Sequence, residues 1–350
     1  MRARHRGPSE SRETAGFAAS CLFVVLASVR DVYLGGLFQR HSPLEVALVA
    51  FGACSAVFLP IALARNPGSI RELARWPTQV FWINATSATA WIGFFYALRT
   101  IEPLLVQVLF SGIGPLTITA LDRLAVSRAP SSTLSLIERR LQVGLLVSLA
   151  LAALVALAGW SGVGSQPVAA AALGVGLAVG SGISIAVNTV LCKQLHDGGV
   201  GPEALVSVRF VGAVVVAGSL LVAGVGTSSV PLSVTSSGAL VAPALLLIVL
   251  PIYVNQIGVS LASPITVRVA LALGPVLLFV LQLFDGRLTA SLCSLAVGVL
   301  YCGLAIAATI ARRQSRVVAA EDGDVTARAS SPRAPDAGPL QPGRGTAPSA

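Results

Sequence analysis

Ten apolar runs dominate this chain, and each is long enough to cross a hydrocarbon layer about 30 Å thick. Inside a bilayer every backbone N–H and C=O must find a partner within the protein, so runs of roughly 20 residues are read as helices. They cover about 16–38, 44–64, 79–99, 103–122, 141–160, 168–192, 204–226, 239–260, 264–284 and 289–311. Composition supports the assignment. Apolar residues make up 55 % of the chain and charged residues only 11 %, against about 25 % charged in soluble domains, so there are too few charges to clothe a water-exposed surface. A basic start followed by an apolar run also describes a cleaved leader, but Arg30 and Asp31 follow the run and no good small-x-small site precedes them. Residues 16–38 are therefore expected to be the first helix of an all-α integral membrane protein with ten transmembrane helices.

The chain also repeats itself. "SPLEVALVAF" (Ser42–Phe51) returns as "GPEALVSVRF" (Gly201–Phe210), an offset of 159. Gly114–Pro115–Leu116 returns as Gly274–Pro275–Val276 at 160, and Pro103 as Pro264 at 161. A near-constant offset at three landmarks means an internal duplication. The copies fall on helices 2 and 7 and on helices 4 and 9. Five helices separate each pair, and five is odd, so the second copy enters the membrane with opposite polarity. The expected domains are a segment 1–15, a first five-helix repeat 16–160, a second, inverted repeat 161–311, and a tail 312–350.

Arginine bias orients the spans. With the N-terminus inside, fifteen Lys and Arg residues fall on the cytoplasmic side, and only Arg40, Arg99 and Arg287 on the other. Both termini are expected in the cytoplasm of a cell whose plasma membrane holds the protein. The tail is dominated by Ala, Pro, Ser, Gly and Arg without apolar periodicity, so it is expected to be disordered.

Several classes are excluded on chemistry. The net charge of +9 comes from arginines in short connections and at the N-terminus, which suits anionic headgroups; no basic stripe with interleaved aromatics points to nucleic acid. The five cysteines lie within apolar runs and form no Cys-x-x-Cys pair, so neither zinc nor a disulfide is expected. His5, His41 and His196 fall in termini or loops, and no hydrolase signature occurs, so the chain is not expected to be an enzyme or to hold a cofactor.

"FFYALRTIEPLLVQVLFSGIGPLTITALDRLAVSR" (Phe94–Arg128) resembles the third-to-fourth helix junction of EamA-type proteins in the drug/metabolite transporter superfamily. "SPITVRVALALGPVLLFVLQLFDGRLTASLCSLAVGVLYCGL" (Ser263–Leu304) resembles their ninth-to-tenth helix region, with "DGRL" where the family usually has Gly-Glu-Arg-Leu. The resemblance covers nearly all of residues 16–311. It implies ten helices in two inverted repeats that move small metabolites, often outward. The family's Arg-Phe in the second helix of a repeat stands here as Arg209–Phe210, but as Ala50–Phe51 in the first repeat.

Charges within spans each cost about 2.5–3.5 kcal/mol or more at a helix centre unless partnered, and so mark candidate sites. Arg30 and Asp31 lie in the first span, Arg209 in the seventh and Arg268 in the ninth. Three cations and one anion leave a positive surplus that a carboxylate or phosphate would offset; snorkelling to the headgroups is the alternative for Arg209 and Arg268. Asp31, the lone carboxylate deep in a span, is the candidate for proton coupling. Asn84, Gln107, Asn188 and Asn255 complete the expected substrate-binding set, with interhelical hydrogen bonding as the alternative role. Pro115 and Pro275 interrupt the backbone ladder of their spans and are candidate gating residues. Gly176-x-x-x-Gly180, with Gly182 nearby, is a candidate for close helix approach. The sequence thus points to a secondary transporter in the lipid bilayer, an exporter of small metabolites, anionic or carboxylate-bearing ones among them, working by alternating access. The competing expectations are a flippase for lipid or lipid-linked sugar and a non-transporting scaffold.

Overall fold

A computed structural model of the chain describes residues 8–124, 135–163, 166–226, 242–243, 245–262, 267, 270–286 and 288–330. Among them there is no strand. The helices are α1 (Pro8–Leu37), α2 (Pro43–Arg65), α3 (Pro67–Leu73), α4 (Pro77–Thr100), α5 (Pro103–Arg123), α6 (Leu136–Leu157), α7 (Val168–Asp197), α8 (Pro202–Val208) and α9 (Val211–Val222). A π-helical turn, Leu245–Val249, leads into α10 (Leu250–Leu261), followed by α11 (Gly274–Gln282) and α12 (Leu292–Ser330).

Seven stretches among the described residues are long and apolar enough to cross a membrane: Glu13–Leu37, Pro43–Arg65, Pro103–Leu121, Leu136–Leu157, Val168–Asp197, Pro202–Val222 and Leu292–Ala311. Their outward faces carry exposed Leu22, Val25, Leu146, Val147 and Val215. Water would drive such a coat to associate, whereas lipid solvates it. The chain is a multi-pass membrane protein.

Helix starts follow local chemistry. Proline in the first turn opens α2, α3, α4 and α8, where its preset φ fits and its missing N–H is not needed. Capping boxes at Ser42/Glu45 and Ser135/Glu138 fix the starts of α2 and α6. The second box begins α6 at Leu136, ahead of the apolar run expected from 141, so Arg139 and Arg140 are helical.

Five further boundaries differ from expectation. α7 continues to Asp197, with Lys193 and Asp197 paired at 2.7 Å across one turn, so His196 is helical and not in a loop. The run 204–226 holds two helices, because Arg209 and Phe210 form a turn and the Gly212 N–H donates to Asn84 Oδ1 at 2.7 Å. Pro275 stands in the first turn of α11 and not inside a helix, a position where its missing N–H is not needed. α12 runs past residue 311 to Ser330, since Ala, Arg, Gln and Glu readily extend a helix whose costly nucleation has already occurred. The short α3 was not expected. Residues 239–241, 244, 264–266 and 268–269 of the expected spans, and 1–7 and 331–350 of the expected terminal segments, lie outside the described residues.

Of the three glycines expected to allow close approach only Gly182 does so, joined by Gly174. Gly176 and Gly180 face open space, whereas a side chain at Gly182 would run into the Phe110 carbonyl and one at Gly174 into Thr100. These contacts seat α7 against α4 and α5. α4 lies along α7, α1 along α10, α2 along α8 and α9, and α6 along α12.

The bundle has two distinct ends. At one, here termed upper, Glu102 in the α4–α5 turn accepts from the Gly162 N–H at 2.8 Å and from Ser294 Oγ at 2.6 Å, tying two connections to the start of α12. At the other, lower, end the Gly201 N–H donates to Ser69 Oγ at 3.2 Å, joining α3 to the start of α8.

Candidate functional site

The site begins with two buried arginines, one toward each end. Arg30 is seven residues from the end of α1, and Arg209 is seven residues from the start of α8. At about 1.5 Å per residue each arginine's Cα lies roughly 10 Å into the bundle, one from the upper and one from the lower end.

Arg30 is neutralised by its neighbour. Its Nε donates to Asp31 Oδ1 at 2.7 Å, with Arg30 at 3 % and Asp31 at 1 % exposure. Its guanidinium lies over the rings of Trp91 at 5.1 Å and Phe94 at 5.6 Å from α4. Nη1 has no partner among the described residues.

Arg209 has no carboxylate partner among the described residues. Its Nη2 donates to Asn188 Oδ1 at 2.7 Å, and its guanidinium lies 4.9 Å over the Phe210 ring. Nε is buried and unpartnered. Asn188 fixes the geometry: the two hydrogens of its Nδ2 are shared among the Ile83 carbonyl, Thr86 Oγ1 and Ser87 Oγ, each at 2.9 Å. A carbonyl only accepts, so the amide nitrogen must face α4 and the oxygen must face Arg209. Cys192 Sγ also reaches that oxygen, at 3.4 Å.

Between the arginines stands an aromatic layer. Trp91 packs on Phe51 at 5.8 Å and on Phe95 at 5.9 Å. Phe51 stacks on Phe210 with centroids 4.7 Å apart and planes 12° from parallel. The contacts run unbroken from Arg30 through Trp91, Phe51 and Phe210 to Arg209.

The remaining expected residues are placed around this axis. Asn84 lies beside Arg209, accepting from Gly212 and donating to the Val80 carbonyl at 2.9 Å. Both residues line a narrow pocket with Val80, Ile83, Leu205 and Val208. Gln107 of α5 sits against Gly274 at the start of α11. Asn255 of α10 has a buried Oδ1 without a partner among the described residues. Pro115 lies inside α5, where its carbonyl accepts from Thr119. Arg268 lies outside the described residues. The structure thus brings Asn84, Asn188 and Arg209 together and keeps Arg30 and Asp31 as a separate pair.

Three elements escaped the sequence reading. Phe94 and Phe95 complete the aromatic layer, but in an apolar span an aromatic carries no mark of where it faces. Glu102 was hidden because a Glu before a helix-opening Pro reads as an exposed turn. Gln282 is buried with both side-chain polar atoms unpartnered among the described residues; nothing in its apolar surroundings singles it out. His196 is held between the Val200 carbonyl at 2.8 Å and Gln256 Oε1 at 3.3 Å. No group of three or more metal-ligating side chains occurs among the described residues.

No family model and no curated protein matches this chain. Solved structures do. One, a crystal structure described only as that of a protein, is similar over 87 % of this chain and 98 % of its own, with a TM-score of 0.58 and 20 % identity. Likeness at that identity shows a shared fold and nothing about activity.

Proposed function

We propose that the chain is a secondary transporter that exports small metabolites across the plasma membrane by alternating access. In this reading it is of the EamA type, with ten spans in two inverted five-helix repeats and both termini cytoplasmic. The observation that carries it is the stack of Phe51 on Phe210. These residues occupy equivalent positions of the duplicated sequence, and equivalent residues meet face to face only where a two-fold axis passes between them. The helix packing supports the same reading. α1 lies on α10 as α7 lies on α4, while α2 pairs with α8–α9 and α6 with α12, each with its own repeat equivalent. A pseudo-two-fold axis in the membrane plane is the architecture that lets one site face either side. The arginine bias puts the upper end outside, so Arg30 faces outward and Arg209 inward.

The test is flux of a metabolite panel through reconstituted full-length protein, with and without a proton gradient. Saturable transport of a soluble solute supports the reading. Absence of flux for every solute, with the protein folded, overturns it. A flippase is the second reading, favoured by an apolar groove of Tyr33, Leu34, Leu37, Val46, Val49, Pro243 and Ile248 on the side of the bundle. Translocation of a labelled lipid in the same vesicles without solute flux would select it, and silence in both assays would leave a scaffold.

A further inference from the structure

We infer that the break between α8 and α9 is a binding site for one monovalent anion of carboxylate size, held by Arg209 and the first turn of α9. Three independent features converge there. Arg209 is 4 % exposed, uncompensated by any carboxylate among the described residues, and its Nε has no acceptor. A charged group so deeply buried is sustained by a counter-charge. The seventh span is interrupted at Arg209–Phe210, so the N-terminus of α9, twelve residues long, begins two residues after Arg209. The free N–H groups and positive dipole end of a helix favour an anion at that spot. Asn84 already takes the Gly212 N–H with its Oδ1, an oxygen acceptor sitting where an anion's oxygen would bind a neighbouring N–H.

The stoichiometry follows from charge. One uncompensated guanidinium matches one negative charge; a dianion would bury a surplus. Asn188, locked by three acceptors on α4, is the positioning residue that turns Nη2 away and leaves Nε free. The pocket is narrow, so admission of the anion requires α8 to move off α4 about the break. As a statement about the transported solute, the inference rests on the transport reading above; as a statement about binding, it stands apart.

The experiment is thermal unfolding of the purified full-length protein in neutral detergent, titrated with sodium acetate at constant ionic strength. The balance is made up with a bulky sulfonate that the pocket excludes. Acetate is expected to raise the melting temperature saturably. Asn84→Asp keeps the acceptor for Gly212 and adds a tethered carboxylate, so the acetate response is expected to vanish. Arg209→Lys keeps the charge but loses Nε and is expected to weaken the response at least tenfold. No saturable shift in the unaltered protein overturns the site, as does an undiminished response in Asn84→Asp. Acetate binding without solute flux would leave the site standing and remove the transport reading; flux without acetate binding would do the reverse.

Discussion

The two buried arginines occupy matching depths from opposite ends of the bundle, yet they are satisfied by different chemistry. Arg30 is closed on a carboxylate next to it in sequence, and the pair is neutral. Arg209 is held by an amide from another helix, and its charge stays open. In the proposed repeat the two like segments differ in charge but not in packing: Phe51 and Phe210 stack, and the residue before each is alanine in one segment and arginine in the other. Depth alone does not make a buried cation a ligand site. What its neighbours leave unsatisfied does.

The sharpest way to break this comparison is to unpair the upper arginine. Asp31→Asn leaves Arg30 as an uncompensated buried charge and is expected to cost about 3–5 kcal/mol, read as unfolding in detergent. Replacing both partners with apolar residues of similar size should recover most of that loss. If Asp31 instead carries a coupling proton, Asp31→Asn abolishes the dependence of flux on the proton gradient in a folded protein, and a fully retained dependence excludes it. Asn188→Leu tests the lower arginine. It strands Nη2 without an acceptor and is expected to destabilise by about 1–3 kcal/mol, less than Asp31→Asn because no ionic partner is lost. Equal losses at the two sites would erase the distinction drawn between them.

A smaller effect probes the layer that separates the arginines. A double-mutant cycle on Phe51→Leu and Phe210→Leu should return a coupling of about 0.5–1.5 kcal/mol. Additive losses would mean that the rings merely fill space. The smallest effect lies at the upper end. Burial raises the Glu102 carboxyl above its ordinary value of 4.5, while the Ser294 hydroxyl and the Gly162 amide pull it down. The folded state then binds the proton more tightly than the unfolded one. Its stabilising contribution is complete below 4.5 and is lost as the pH rises through the raised folded value. Relative to Glu102→Gln, the native protein should lose stability as pH rises through that window; parallel curves would show that Glu102 does not titrate differently on folding.

Legibility of the sequence varied with the range of the interaction. The runs expected at 44–64 and 103–122 match α2 and α5 to within two residues, because span length and a Pro start are local properties. The α8–α9 break was not legible, since it depends on Asn84, 128 positions from Gly212. Asn188 and Arg209 were singled out as polar groups in apolar spans, but their mutual contact and their grip on Ile83, Thr86 and Ser87 were not. Pro275 looked like Pro115 in sequence, yet only Pro115 sits inside a helix.

The sequence by itself determined that this is a multi-pass helical membrane protein, because hydrocarbon tests each segment on its own length and polarity. It also carries the near-constant offset between like segments on which the proposed repeat rests. Only the tertiary structure decided which arginine is neutral and which is open, because a buried charge is judged by what other helices bring to it.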